Sequence, residues 1–346
     1  MSGLLGRTQL WAFTTFIQSM VTMDVLRTRK RLSHMTGVVA RGKIRVVDEP
    51  GFAEHDFYQP GREFACRLRH SSATYDDDAT LQVRGMALKF ADTDYESPLD
   101  LEMNTGETPV FWTLHMFWRW TAMRLKMTRS EGPRDLTQLM AYFKEFPAAL
   151  TAARDGVRRN PDSFSQLFYY SEFPTYFKTV DGGERYVKYR LVPDNRGPEA
   201  GMPDPAELVE VWDSEARLPG DDRPKDYLRR EFAQRVQHEG VHYHLQYQLH
   251  TPTRVDSAEV FNASKPWEAD THPWHDLADI QLTSVLSDDE AAATRFSIGH
   301  HPPSLNLLPA TSVDDYNSIN YSRARMAPAK TARVLAYRFL GPAKAA

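Results

Sequence analysis

Residues 84–90 read Arg-Gly-Met-Ala-Leu-Lys-Phe, a short run with turn-forming residues before it that is typical of a β-strand. Two similar runs precede it, at residues 43–47 and 63–68. Clusters of Gly, Pro and Asp separate these runs, and such residues favour turns. The first quarter of the chain therefore predicts several strands joined by short connections.

The same pattern returns further along the chain, at residues 168–170 and 185–191 and most clearly at 241–250. In this last run apolar residues alternate with His and Gln, as in a strand that buries one face. The strands occur in blocks and do not alternate with single helices. This arrangement favours an α+β fold, with an antiparallel sheet or barrel and added helices.

Residues 8–30 predict an amphipathic helix, because apolar residues recur at helical spacing on one side. A basic run, residues 27–31, follows it, and two interpretations are open: the helix lies on a membrane surface, or it packs on its own domain. We divide the chain into this amino-terminal helix, residues 1–30, and one domain, residues 31–346. Further helical stretches are predicted at residues 109–159, 205–217 and 225–240.

The composition is that of a soluble globular protein, since 41% of the 346 residues are hydrophobic and 25% are charged. The net charge of −4 gives no sign of the basic surface that binds nucleic acids. The single cysteine, Cys66, excludes an internal disulfide and is compatible with a reducing compartment such as the cytoplasm. Neither a nucleophile elbow nor a zinc-protease motif occurs, so spacing alone does not name a reaction.

Five short motifs occur in order within residues 31–112. They are Arg31-x-x-His34-x-x-Gly37, a strand arginine at Arg67, the run 84–90, Asp100-Leu101-x-x-Asn104, and Thr108-Pro109-x-Phe111-Trp112. In this order and near this spacing they resemble the catalase superfamily. Residues 186–189 and 260–267 extend the resemblance over most of the chain. The resemblance implies a catalase-like antiparallel β-barrel with flanking helices that binds haem b.

The resemblance also implies roles for five side chains around the haem. His34 and Asn104 match the distal histidine and asparagine of the family. A neutral imidazole with a pKa near ~6.5 can take a proton from a bound peroxide and return it, while an amide holds the outer oxygen without changing charge. Arg31 and Arg67 match arginines that pair with the haem propionates, and Phe111 falls among the pocket aromatics.

The iron ligand on the other side of the haem is a tyrosine in this family, preceded four residues earlier by an arginine. Arg333 and Tyr337 have this spacing, and residues i and i+4 share a helix face. The guanidinium can then reach the phenol and lower its pKa. The residues that usually follow this tyrosine are absent. Tyr321, with Asn317 in the place of the arginine, is the alternative ligand.

Two departures from the catalase pattern bear on the substrate. Ser33 stands where catalases have valine, and the related allene oxide synthases have a hydroxyl residue there. The chain is also shorter than a full catalase, which implies a wider route to the iron. We expect an enzyme that acts on peroxides, with organic or lipid hydroperoxides favoured. A small catalase that dismutates hydrogen peroxide and a non-catalytic haem- or lipid-binding module are the alternative functions left open. Assembly into a homo-oligomer is left open as well.

Overall fold

The computed structural model describes residues 2–129, 136–204 and 217–341. Within these residues the strands are β1 Thr36–Val46, β2 Glu63–Ser72, β3 Gln82–Lys89, β4 Asp100–Asn104, β5 Val157–Arg158, β6 Tyr169–Tyr170, β7 Thr175–Lys178, β8 Glu184–Pro193, β9 Val241–His250 and β10 His275–Val285. The α-helices are α1 Ser2–Thr28, α2 Leu114–Arg129, α3 Thr137–Glu145, α4 Pro147–Gly156, α5 Tyr227–His238, α6 Asp288–Ala293, α7 Ser318–Ala324 and α8 Ala327–Leu340.

Eight of the strands close into an antiparallel barrel. Their order is β2-β1-β10-β9-β8-β6-β4-β3, and β3 pairs in turn with β2, which leaves the ring without an open edge. Alternate residues of these strands fill the interior; on β9 these are Val241, Tyr243, Leu245 and Tyr247. The expected antiparallel barrel with flanking helices is therefore confirmed.

The structure adds detail that the sequence patterns did not give. Strand β10, which pairs with both β1 and β9, was not predicted, although its apolar residues Leu277, Ile280 and Leu282 are buried. The long helical stretch at residues 109–159 divides into α2, α3 and α4. The stretch predicted at 225–240 is α5, and most of the one predicted at 205–217 lies outside the described residues.

Helix α1 forms as predicted, yet its apolar side chains do not lie on one side only. Leu10 and Ile17 are buried in a cluster with Leu114 and Ile319, while other large apolar residues of α1 point to the surface. The helix packs along α8, and the guanidinium of Arg29 donates hydrogen bonds to the carbonyl oxygens at the end of α8. None of the described helices is both long enough and apolar enough to span a bilayer.

Candidate functional site

A cavity of about 370 Å³ lies between the outside of the barrel and the helices α1, α7 and α8. Strands β2, β3 and β4 form one wall, which we call the barrel wall, and it includes Ser71, Gly85 and Asn104. The opposite side, the helical wall, includes Val21 of α1 and Arg333 of α8. The cavity is therefore bounded by fixed strands on one side and by packed helices on the other.

The barrel wall places two motif residues, Gly85 and Asn104, in one row with Ser71. Strand pairing sets Ser71 opposite Gly85, and Gly85 opposite Asn104. Residues that face each other on neighbouring strands are held by the backbone hydrogen bonds of the sheet. The spacing of these three positions is therefore a property of strand register and not of flexible side chains.

His34 lies over this row, in the connection between α1 and β1. Its Nδ1 is 3.1 Å from Ser71 Oγ, and its carbonyl oxygen accepts a hydrogen bond of 2.8 Å from Arg69 Nη2. Desolvation, and then the charge of Arg69, lowers the pKa of His34 to about 4. The imidazole is thus neutral near pH 7. Because Ser71 engages Nδ1, Nε2 is the nitrogen available to a ligand.

Gly85 is needed where it stands because the imidazole occupies the space of a side chain. A Cβ built on Gly85 would lie 2.4 Å from Nδ1 and Cε1 of His34. His34 itself has a positive φ of 54°, a conformation that few residues other than glycine adopt. The glycine of the 84–90 motif therefore makes room for the ring of His34.

Asn104 ends strand β4 and faces the cavity beside a carboxyl that the sequence did not indicate. Its Nδ2 is 3.5 Å from Oε2 of Glu172, which also lines the cavity. Burial raises the pKa of Glu172 to about 7. Glu172 was missed because its position depends on β6 pairing with β4, where Tyr170 lies opposite Asn104.

Four of the arginines that line the cavity, Arg31, Arg69, Arg295 and Arg333, have no anionic partner among the described residues. Arg31, Arg69 and Arg333 each donate to main-chain carbonyl oxygens, at distances between 2.8 and 3.3 Å. Burial and the neighbouring guanidinium charges lower the pKa of all three, to about 9 for Arg69 and about 10 for Arg333. Because an unpaired buried charge is costly, this cluster favours an anionic ligand.

Arg67 is not part of this cluster, which corrects its placement from the sequence. Its Nε lies 2.6 Å from Asp92 and its Nη1 lies 2.9 Å from Asp94, away from the cavity. Arg69, two residues further on the same strand face, lines the cavity instead. Arg67 and Arg69 share one face of β2, so the alternation along the strand does not distinguish them, and only packing does.

The two candidate iron ligands, Tyr337 and Tyr321, contact groups that lie outside the cavity lining. The Tyr337 hydroxyl lies 3.5 Å from Asp289 Oδ1, one turn beyond Arg333 on α8. The ring of Tyr321 lies 3.4 Å from the guanidinium carbon of Arg325. Neither phenol is among the groups that line the cavity.

Most of the remaining cavity residues are apolar, and the acidic one among them, Glu102, is paired with cations. Ser33 and Phe111 line the cavity as expected from the sequence. Glu102 is held by Lys330 at 2.6 Å and by Arg323 at 3.2 Å, and these cations lower its pKa to about 2. This group is an internal ion pair and does not neutralise the arginine cluster.

The residues around the cavity fit a haem. A neutral imidazole lies over the barrel wall beside an amide, the lining is largely apolar, and the arginine cluster offers charges that carboxylates would neutralise. Haem has this combination of a flat apolar body and two carboxylates. The fit rests on the guanidiniums of Arg31, Arg69 and Arg333, because no anionic group among the described residues pairs with them.

Two proteins with curated names match most of the chain. It is 37% identical over 302 residues to the allene oxide synthase-lipoxygenase protein of Plexaura homomalla, covering 86% of this chain and 27% of that protein. It is 29% identical over 318 residues to the linolenate 9R-lipoxygenase of a Nostoc strain, covering 89% of this chain and 39% of that protein. The chain thus spans well under half the length of either relative.

Two further comparisons concern a shorter relative and a solved structure. Over 176 residues the chain is 37% identical to the uncharacterized protein y4iK of Sinorhizobium fredii, covering 49% of this chain and 75% of the relative. A fungal catalase structure matches with a TM-score of 0.67 at 17% identity, covering 94% of this chain and 62% of the catalase. No family model matches the chain.

Proposed function

Because this chain has a catalase-related fold, like that of allene oxide synthases, and belongs to the same family as y4iK, we propose that it is a haem-dependent enzyme that converts organic hydroperoxides. The observation that carries the proposal is the neutral imidazole of His34 beside Asn104, in a cavity whose arginine cluster has no anionic partner among the described residues. These groups provide a proton acceptor, an uncharged hydrogen-bond donor and a site for an anionic cofactor.

Arg31, Arg69 and Arg333 would hold the propionates of haem b, and the helical wall would supply the iron ligand. Tyr337 is our proposed ligand, because Arg333 precedes it by one helical turn and is itself at the cavity. Tyr321 is the alternative. When bound, haem supplies the iron at which the O–O bond of a hydroperoxide is broken.

His34 and Asn104 act on the hydroperoxide group itself. His34 Nε2 accepts the hydroperoxide proton and can return it to the oxygen that is released. Ser71 holds Nδ1, so the ring keeps one orientation while Nε2 exchanges the proton. The Asn104 amide orients the oxygen pair without adding charge, and Glu172 fixes the amide by accepting a hydrogen bond from Nδ2.

The cavity supports a fatty-acid hydroperoxide as the substrate. Val21, Phe117 and Ile319 give the lining an apolar character that suits an alkyl chain. Two relatives have names that refer to lipoxygenases, and one of these names includes linolenate. Ser33 at the cavity, in place of the valine of catalases, is consistent with a substrate other than hydrogen peroxide.

The test is to load the purified full chain with haemin, record its absorption spectrum, and follow two substrates. We expect a haem spectrum and consumption of a linoleate hydroperoxide, with slow oxygen release from hydrogen peroxide. Rapid oxygen release without consumption of the lipid substrate identifies a small catalase instead. A protein that takes up no haem contradicts the proposal entirely.

The iron ligand is tested by comparing Tyr337→Phe with Tyr321→Phe. The first change should remove the phenolate and alter the spectrum of the loaded protein, while the second leaves the spectrum unchanged. The reverse result would transfer the role to Tyr321. Equal spectra for both variants and the parent protein would show that neither phenol binds the iron.

A further inference from the structure

The outward side of α1 exposes large apolar side chains along its whole length. Leu4 is 76% exposed, Trp11 58%, Phe16 50% and Met23 64%. The inward side of the same helix is also apolar, since Ile17 and Val25 are buried against the domain. A helix that is apolar on both sides normally has both sides covered. We therefore expect another surface to cover the outward side of α1.

The hydroxyl side chains of this helix have little need of water. Thr8, Thr15, Ser19 and Thr22 each donate their hydroxyl to the carbonyl oxygen four residues earlier, at 2.7 to 2.9 Å. No charged residue occurs between Thr8 and Met23. Hydroxyls bonded back to their own helix suit an apolar environment, because no donor is left unsatisfied there.

Helix α8 extends the exposed apolar area at the carboxyl end of α1. Arg29 binds the carbonyl oxygens of Leu340 and Gly341, which holds the two carboxyl ends side by side. Leu335 is 48% exposed, Phe339 82% and Leu340 63%. We call the combined surface the apolar face; it consists of Leu4, Leu5, Trp11, Phe16, Met20, Met23, Leu26, Leu335, Phe339 and Leu340.

Positive charge is concentrated beside the apolar face. Residues 1–30 contain four basic residues and one acidic residue, a net charge of +3, whereas the whole chain has −4, so the remainder has −7. Arg7, Arg27 and Lys30 are exposed near the two ends of α1. An apolar helix face with basic residues at its ends matches an interfacial helix on an anionic bilayer.

We propose that the apolar face binds the surface of an anionic lipid bilayer, with α1 and the end of α8 lying in the interface. A second copy of this chain is a poorer occupant, because pairing through this face would bring two regions of +3 together. The inward side of α1 lines the cavity. If the proposed function is right, the face thus sets the cavity beside the membrane that contains its lipid substrate.

The experiment measures binding of the purified full chain to vesicles, with neither haem nor substrate required. Vesicles of phosphatidylcholine alone are compared with vesicles that also contain phosphatidylserine, at low and high salt. We expect binding to the anionic vesicles that weakens with salt. Because the measurement does not use activity, failure of the hydroperoxide function would leave this result unchanged, and the reverse also holds.

Variants of the apolar face give the decisive comparison. Trp11→Gln, Phe16→Gln and Phe339→Gln combined should lower the vesicle partition coefficient by at least about tenfold, since burial of large apolar side chains drives interfacial binding. Arg7→Glu with Lys30→Glu should weaken binding to anionic vesicles only. Val255→Gln is the matched control, because Val255 is apolar and 90% exposed but lies far from α1 in the chain, in the connection before β10.

Three results would overturn the proposal. The first is that the chain binds neither type of vesicle. The second is that the apolar-face variant and Val255→Gln bind equally well. The third is a dimer in solution that the apolar-face variant dissociates, since this would show that a second copy covers the face.

Discussion

The barrel wall and the helical wall of the cavity are built in different ways. Ser71, Gly85 and Asn104 lie on three paired strands, so backbone hydrogen bonds fix their relative positions. Helices α1 and α8 are held by side-chain packing and by the contacts of Arg29 with the end of α8. Relative positions on the barrel wall therefore depend on strand register, whereas those on the helical wall depend on side-chain packing.

The largest effect is expected from replacing His34, the proposed base that lies over the barrel wall. His34→Gln keeps a polar side chain but has no group that exchanges a proton near pH 7. Since general acid–base catalysis contributes roughly 10²- to 10⁴-fold, turnover of the hydroperoxide should fall by that factor. Steady-state rates of the haem-loaded protein measure the change, and its spectrum verifies that haem is still bound.

His242→Gln is the control for this change, because His242 is an exposed histidine on β9. Its rate should equal that of the parent protein. A His34→Gln variant with normal turnover would remove His34 from the mechanism and would favour a non-catalytic haem protein.

A methyl group at Gly85 should disturb the same site without removing any functional group. In Gly85→Ala the new Cβ would lie 2.4 Å from the imidazole, so His34 must move. A misplacement of about 1 Å can cost roughly 10²-fold in rate, and we expect a loss of that order. Gly197→Ala is the control, because its nearest neighbour atom would be 3.5 Å away. Equal rates for the two variants would mean that the ring position is not critical.

The barrel wall was largely predictable from the sequence because its motifs are local and strand register joins them. His34, Asn104 and Phe111 all reach the cavity, as the resemblance implied. The choice between Arg67 and Arg69 was not predictable, since both lie on one face of β2 and only the acidic partners of Arg67 separate them. The contribution of Glu172 depends on a pairing between β4 and β6 that no local pattern encodes.

The helical wall was harder to predict because helical spacing does not show what covers each side. The periodicity of α1 correctly predicted a helix, and it suggested a single apolar side. The structure has apolar side chains on both sides, one towards the cavity and one outward. Residues that close a cavity and residues that meet an external surface have the same composition, so their roles require the tertiary structure.

The arginine cluster has members on both walls of the cavity. These arginines should differ from Arg67 in their effect on haem affinity. Arg69→Leu should weaken haem binding by roughly 10- to 100-fold, because a charge-assisted hydrogen bond contributes about 1.5–3 kcal/mol. Arg67→Leu should leave haem affinity unchanged, and its cost should appear in the free energy of unfolding instead, since Asp92 and Asp94 lose their partner. Haem titration followed by absorbance distinguishes the two effects. A weaker haem complex with Arg67→Leu alone would restore the placement inferred from the sequence.

The smallest effect concerns two carboxyls at the same cavity whose pKa values shift in opposite directions. Burial raises the pKa of Glu172 to about 7, whereas Lys330 and Arg323 lower that of Glu102 to about 2. In the unfolded chain both carboxyls have a pKa near the ordinary value of 4.5. The folded protein therefore loses stability through Glu172 as the pH rises from 4.5 through 7, and the loss levels off once both states are ionised. It loses stability through Glu102 as the pH falls from 4.5 to 2.

Denaturation by urea at pH 5 and pH 8 tests this opposition. In Glu172→Gln the side chain cannot ionise, so this variant should not lose the stability that the parent protein loses through Glu172 between pH 5 and pH 8. We expect this difference in the free energy of unfolding to be roughly 1–3 kcal/mol. Glu102→Gln should be less stable than the parent at both pH values, because Lys330 and Arg323 then keep their charges without a carboxylate. If Glu172→Gln shows the same pH dependence as the parent protein, Glu172 is ionised throughout this range. The carboxyl beside Asn104 would then be negatively charged and would repel an anionic ligand.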